Sequence, residues 1–165
     1  MRLFAMALIA LGLALPARAE IVENEMMKVF DGHWVQSKDP SQFGALMFLT
    51  QERAAAGEYF TIRCVGADRS IRIGFPKRQN GGAIGITIDG TPREIEANFT
   101  GRTKDRNFLK GNIFSYELEF DDAAAQSAFL EEMRAGRMLT VNGQSLPISL
   151  AGAGQAVQEQ AAYCR

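Results

Sequence analysis

From Ala45 to Phe120 the chain runs mostly with a period of two, and this constrains its fold more than any other feature. Tyr59 to Cys64 puts Phe60, Ile62 and Cys64 on one face and Tyr59, Thr61 and Arg63 on the other. That is the pattern of a strand with one wet face. Ile71, Ile73 and Phe75 repeat it with Arg72 outward, Ile84, Ile86 and Ile88 do so again, and Ile95, Ala97 and Phe99 form another inward row. Phe114, Tyr116, Leu118 and Phe120 alternate with Ser115, Glu117 and Glu119 as the clearest strand of all. Asp89-Gly90 marks a tight turn, and Asn142-Gly143, between Met138–Val141 and Gln144–Leu150, marks a hairpin. Residues 100 to 112, rich in charge and glycine, read as a loop, and the weakly patterned residues 20 to 44 as an arm packing through Phe30 and Trp34.

Two helices interrupt the strands. Asp121 and Asp122 are N-cap candidates for Ala123 to Ala135, where Ala125, Phe129, Leu130 and Met133 keep helical spacing. Gly136 is expected to stop that helix in the left-handed conformation. A second helix is expected from about Gln155 to Tyr163, with Val157, Ala161 and Cys164 on its inner face. The reading is a mainly β domain, an antiparallel β-sandwich or open barrel of about six to eight strands with one internal and one C-terminal helix. The alternative is an α+β layer with both helices on one face of a curved sheet.

The N-terminus supplies the compartment. Met1 and Arg2, the apolar run Phe4 to Leu15 and Pro16-Ala17-Arg18-Ala19 have the order of a secretory signal peptide. Its apolar core is well short of the roughly 20 residues that span a bilayer. Residues 1–19 are therefore expected to be removed, leaving 20–165 as one periplasmic or secreted domain that does not span the membrane. Cys64 and Cys164 are the only cysteines, and outside the cytoplasm an even count reads as a disulfide rather than two buried thiols. Closing a loop of about 100 residues is worth at most about 4.7 kcal/mol in the chain-entropy model.

Little in the chain points to catalysis. His33 is the sole histidine and lies in the arm, with no Gly-x-Ser-x-Gly motif anywhere. One histidine and two paired cysteines cannot make a zinc site, and no cofactor is expected. The acid pairs Asp121/Asp122 and Glu131/Glu132 read as a helix start and a solvated helix face. Gly81-Gly82 precedes a strand rather than a helix, unlike a phosphate-binding loop, and Asn98-Phe99-Thr100 falls on a strand, which argues against its use as a glycosylation acceptor.

Charge is the exception. Residues 61 to 112 carry 10 basic and 5 acidic groups, while residues 20 to 60 and 113 to 165 each carry 3 basic and 7 acidic. Lys77, Arg78, Arg102, Lys104 and Arg106, with Arg72 and Lys110 beside them, fall on outward positions or loops, and would form a positive rim if both loops lie at one end of the sheet. Such a rim attracts anionic polymers by salt-sensitive attraction, whereas the plainer reading is a wet, charged surface. The compartment and the acidic total argue against nucleic acid.

Ile62-Arg63-Cys64 followed by Arg69-Ser70-Ile71-Arg72-Ile73, with Trp34 and Asp39-Pro40 upstream, resembles the small periplasmic proteins associated with type VI secretion, the VasI/TagO group. Phe129-Leu130, Gly136-Arg137-Met138-Leu139-Thr140-Val141, Ser149-Leu150-Ala151-Gly152 and Cys164 resemble the invasion-associated locus B family. Both resemblances imply a non-enzymatic bacterial envelope protein and add no site residue. The expected function is a non-catalytic periplasmic binding or accessory module, secretion- or invasion-associated, whose partner is an envelope protein or an anionic polymer. A small lipid-like carrier and a small envelope hydrolase are the alternatives.

Overall fold

Short polar turns send the chain back on itself, so neighbouring strands pair antiparallel throughout. The computed structural model describes residues 20–42, 44–104 and 111–164; the expected signal segment and Arg106 lie outside them. Among the described residues, eleven strands form one sheet. They are β1 (Ile21–Glu23), β2 (Met27–Phe30), β3 (Trp34–Ser37), β4 (Leu46–Phe48), β5 (Tyr59–Val65), β6 (Asp68–Phe75), β7 (Ala83–Ile88), β8 (Thr91–Lys104), β9 (Asn112–Glu119), β10 (Met138–Val141) and β11 (Ile148–Ser149). Three helices accompany them: α1 (Gln51–Ala56), α2 (Ala123–Ala135) and α3 (Ala153–Ala161).

The order across the sheet is β1-β2-β3-β4-β5-β6-β9-β8-β7-β10-β11. β7, β8 and β9 thus fold back so that β9, not β7, pairs with β6, a Greek-key arrangement. The two ends of the sheet then curl towards each other. Trp34 Nε1 on β3 donates to the Ser149 carbonyl on β11 at 2.9 Å, and α3 packs against α2 and against β2, β3 and β4. The result is a mainly β, open-barrel architecture whose apolar interior runs from Phe30 and Trp34 through Phe60, Ile73 and Phe75 to Phe129.

The alternating rows point inward as their pattern requires: Phe60, Ile62, Ile71, Ile73 and Phe75 are all fully buried. Asp89 and Gly90 adopt φ of 47° and 87°, the paired left-handed values of a two-residue hairpin turn. α2 begins and ends where the sequence places it, with the Asp122 carboxylate accepting from Ala125 N at 2.7 Å. Cys64 and Cys164 form a disulfide, Cα to Cα 4.9 Å, that ties the residues after α3 to β5.

Several expectations are corrected. The arm does pack through Phe30 and Trp34, both fully buried, but turns at residues 24–26 and 31–33 fold it into the strands β1–β3, which helps raise the strand count from six to eight to eleven among the described residues. Of residues 100 to 112, expected in a loop, 100–104 extend β8 and Asn112 begins β9. Gly136 is extended, with φ −79° and ψ 172°. Its lack of a side chain serves packing instead, because a Cβ there would stand 2.8 Å from Ile88 Cγ2 and 2.9 Å from Leu150 Cδ1. α3 starts at Ala153, and its buried face is Ala153, Ala156, Val157 and Gln160, with Ala161 only half-buried.

The Asn142-Gly143 hairpin is wider than its sequence suggests. β10 and β11 do pair, Leu139 with Ile148, but six residues separate them. Something larger than a turn fills that loop. α1 begins at the N-cap Thr50 and stops at Gly57, with φ 74°, and this brings Arg53 beneath residues 144–147. The Arg53 guanidinium donates to Gln144 Oε1 at 2.7 Å, to the Pro147 carbonyl at 2.8 Å and to the Leu146 carbonyl. Glu58 lies 3.4 Å from it and accepts from Ser145 Oγ at 2.7 Å and from Ser145 N. Gln144 Nε2 in turn donates to the carbonyls of Tyr59 and Gly74. Both charged side chains are 1 % exposed, so the wide loop exists to wrap a buried ion pair with acceptors and donors.

Candidate functional site

Three strands fix the geometry of the cationic end. Phe75 on β6 pairs with Phe114 on β9, and Phe114 pairs with Arg102 on β8. The last residue of β6 therefore sits level with Arg102, and Lys77 and Arg78 follow it directly. Lys104 lies two residues further out, opposite Asn112. Lys77, Arg78, Arg102 and Lys104 accordingly share one end of the sheet, and all four are exposed.

A bulge decides which way two of them face. Phe99 pairs with Tyr116 but Gly101 pairs with Ser115, leaving Thr100 as an extra residue. An inserted residue reverses the alternation beyond it. Arg102, opposite Phe114, thereby falls on the same face as Phe99, and Lys104 follows; an unbroken strand would have sent both to the other face. The expectation that these two cations occupy a loop is thus corrected: they stand on a strand, on the continuation of the inner face.

Phe99 lies one residue pair inside this end, opposite Tyr116. It is 42 % exposed, although its position in the row of Ile95 and Ala97 predicted burial. Its ring is supported by Tyr116 at 5.4 Å and Phe114 at 6.5 Å between centroids, and the Arg78 guanidinium lies 4.9 Å above it, within cation–π range. The loop carrying Lys77 and Arg78 is pinned, because Gln79 N donates to the Tyr116 hydroxyl at 3.0 Å and Gln79 Nε2 donates to the Lys77 carbonyl at 3.0 Å.

Ion pairing sets this end apart from most of the remaining surface. Arg72, Arg93, Arg134 and Lys38 are paired with Glu117, Glu132, Glu131 and Glu23. None of Lys77, Arg78, Arg102 and Lys104 is ion-paired among the described residues. Arg72 thus leaves the predicted rim, and Arg106 and Lys110 lie outside the described residues. The Glu94, Glu96, Glu117 and Glu119 positions alternate with the inward row and occupy the opposite face of the β8–β9 ribbon.

Elsewhere, a shallow groove of about 400 Å³ crosses the outer face of β2–β4, lined by Met26, Met27, Val35, Met47 and Leu49 with Glu25 and Asp39 at its rim. The Glu23 and Asp39 carboxyls are held below their ordinary pKa values, Glu23 by its bond to Lys38 and Asp39 by Ser41. His33 is exposed in the β2–β3 turn with its ring 5.6 Å from Phe48. Among the described residues no three metal-ligating side chains gather, and no helix among them is long and apolar enough to cross a membrane.

The sequence alone singled out the cations but not Phe99 or the clasp around Arg53. Gly101, two residues after Phe99 in a strand-like run, was the available signal, since a glycine inside a strand often marks a bulge. Compared with known protein families, curated proteins and solved structures, the chain matches none.

Proposed function

We propose that the chain is an exported accessory module of the bacterial envelope that acts by binding, without chemistry, an anionic partner at the cationic end of its sheet. The carrying observation is the convergence of Lys77, Arg78, Arg102 and Lys104 on one end, without carboxylate partners among the described residues, in a domain whose other surface cations are largely paired. Unpaired cations on a rigid edge concentrate positive potential there despite a net negative chain. The signal-like N-terminus, the disulfide and the resemblance to the VasI/TagO and locus B proteins support an extracytoplasmic setting.

The test is retention of residues 20–165 on an immobilised sulfated polysaccharide. This chain should bind at low salt and elute as salt rises, because exposed charges are screened over about 8 Å at physiological ionic strength. The variant Lys77→Gln/Arg78→Gln/Arg102→Gln/Lys104→Gln should pass through unretained. Equal retention of that variant would reduce this end to a wet surface and end the proposal.

A further inference from the structure

We infer that the partner at this end is the surface of an anionic phospholipid bilayer, with the Phe99 ring inserted at headgroup depth. The inference rests on the reading of this end as an anion-binding surface and adds the class of partner. A soluble polyanion asks only for positive charge. It gives no account of a phenyl ring held 42 % exposed on the same face as Arg102 and Lys104, with Arg78 over it.

A bilayer interface uses both parts. Basic side chains near an anionic leaflet each contribute roughly a fivefold gain in binding, while an aromatic ring gains by leaving water for the interfacial zone. The bulge at Thr100 is what brings Phe99, Arg102 and Lys104 to one face. The anchorage of Gln79 to Tyr116 holds Arg78 over the ring before any ligand arrives, so little side-chain freedom is lost on docking. The acidic face of the ribbon, Glu94, Glu96 and Glu119, is turned the opposite way. An anionic surface therefore admits one orientation and repels the other.

The experiment is vesicle co-sedimentation of residues 20–165, which hold the whole hydrophobic core, Phe30 to Val157, and lack the apolar run 4–15 that would bind lipid by itself. The protein should sediment with phosphatidylglycerol-containing vesicles and not with pure phosphatidylcholine vesicles. Phe99→Ala should weaken vesicle binding by about tenfold, the share expected for a partly inserted ring, and lower retention on the sulfated polysaccharide far less, because all four cations remain and only the seat of Arg78 is lost. Phe99→Trp should restore vesicle binding and show a blue shift of its emission on phosphatidylglycerol vesicles only, read against the buried Trp34. If Phe99→Ala binds vesicles as the parent does, or the parent binds the polysaccharide but no vesicle, the bilayer inference fails and the anion-binding reading stands. If neutralising the four cations alters neither vesicle nor polysaccharide binding, both fall.

Discussion

Arg53 and Arg78 each lie over a phenyl ring, Arg53 at 5.6 Å from Phe48 and Arg78 at 4.9 Å from Phe99, yet they belong to opposite kinds of region. Arg53 is 1 % exposed and surrounded by oxygen acceptors from Glu58, Gln144, Leu146 and Pro147. Arg78 is exposed and, among the described residues, has only the ring. The ring contact is common to both, so the difference lies in the acceptors. A cation removed from water must be met by fixed oxygens or its burial is prohibitive; a cation left in water needs none and keeps its field for a partner. The clasp spends its charge on holding α1, the β5–β6 pair and the β10–β11 loop together, whereas the cationic end leaves its charge outward.

The comparison breaks most visibly at Arg53. Arg53→Met leaves Glu58 buried beside Ser145 with no cation, and should lower unfolding free energy by about 3–5 kcal/mol in a denaturant titration. The double variant Arg53→Met/Glu58→Gln should recover part of that loss, because the orphaned charge is gone. A single-variant loss below about 1 kcal/mol would show that the clasp is not the structural region described here.

The disulfide is the second structural tether. Cys164→Ser should cost about 2–5 kcal/mol, measured by thermal or denaturant unfolding against the oxidised parent. Gln160 is fully buried and its Nε2 lies 3.4 Å from Cys64 Sγ and 3.5 Å from Cys164 Sγ, so the loosening should spread into α3. Amide exchange in α3 should rise in this variant while exchange in the β8–β9 ribbon stays as in the parent.

How far the sequence revealed these regions follows from the range of the interactions that make them. Alternation and capping are local, and β5 to β9 and α2 were accordingly legible from Ile71-Arg72-Ile73 or from Asp122 and Ala125 alone. The three- and four-residue strands β1–β4 contain too few periods to stand out, and α1, at six residues, is too short for a helical stripe. Arg53 was therefore not marked out, although Thr50 and Gly57 bracket its helix. The cations at 77–104 were legible as a count. Their convergence was not, because it depends on β6 pairing with β9 rather than β7 and on one extra residue at Thr100.

Tyr59 offers a gentler probe of the β5–β6 pair to which the clasp is anchored. Its ring lies against Gly74, where a Cβ would come within 2.1 Å of Cδ1, and the carbonyls of both residues receive Gln144. Burial raises the phenol above its ordinary pKa of 10.0, against smaller lowering effects from Ser115, Arg72 and Arg63. Because the folded state holds this proton more tightly than the unfolded chain, stability is intact below pH 10.0 and falls as pH rises from there through the folded-state value. Tyr59→Phe should shrink that alkaline loss relative to the parent and leave stability near neutrality little changed. An identical alkaline profile for the two proteins would place the Tyr59 hydroxyl in water rather than buried beside Ser115.

The smallest expected effect belongs to the cationic end, and it sharpens the contrast most. Replacing Lys77, Arg78, Arg102 and Lys104 together by Gln removes no ion pair among the described residues and opens no cavity, since all four are exposed. Surface changes of this kind stay within about 0.5 kcal/mol, and relief of the repulsion among four like charges on one edge pushes in the variant's favour. That repulsion weakens with ionic strength, so the parent should gain slightly in melting temperature as salt is added and the variant should gain less. Loss of the cation–π contact between Arg78 and Phe99 acts against this, at roughly 0.5–1 kcal/mol for an exposed site. Measuring Arg78→Gln apart from the other three resolves the two contributions. A quadruple variant destabilised on the scale expected for Arg53→Met would mean that this end, too, holds the fold together, and the distinction between the two regions would collapse.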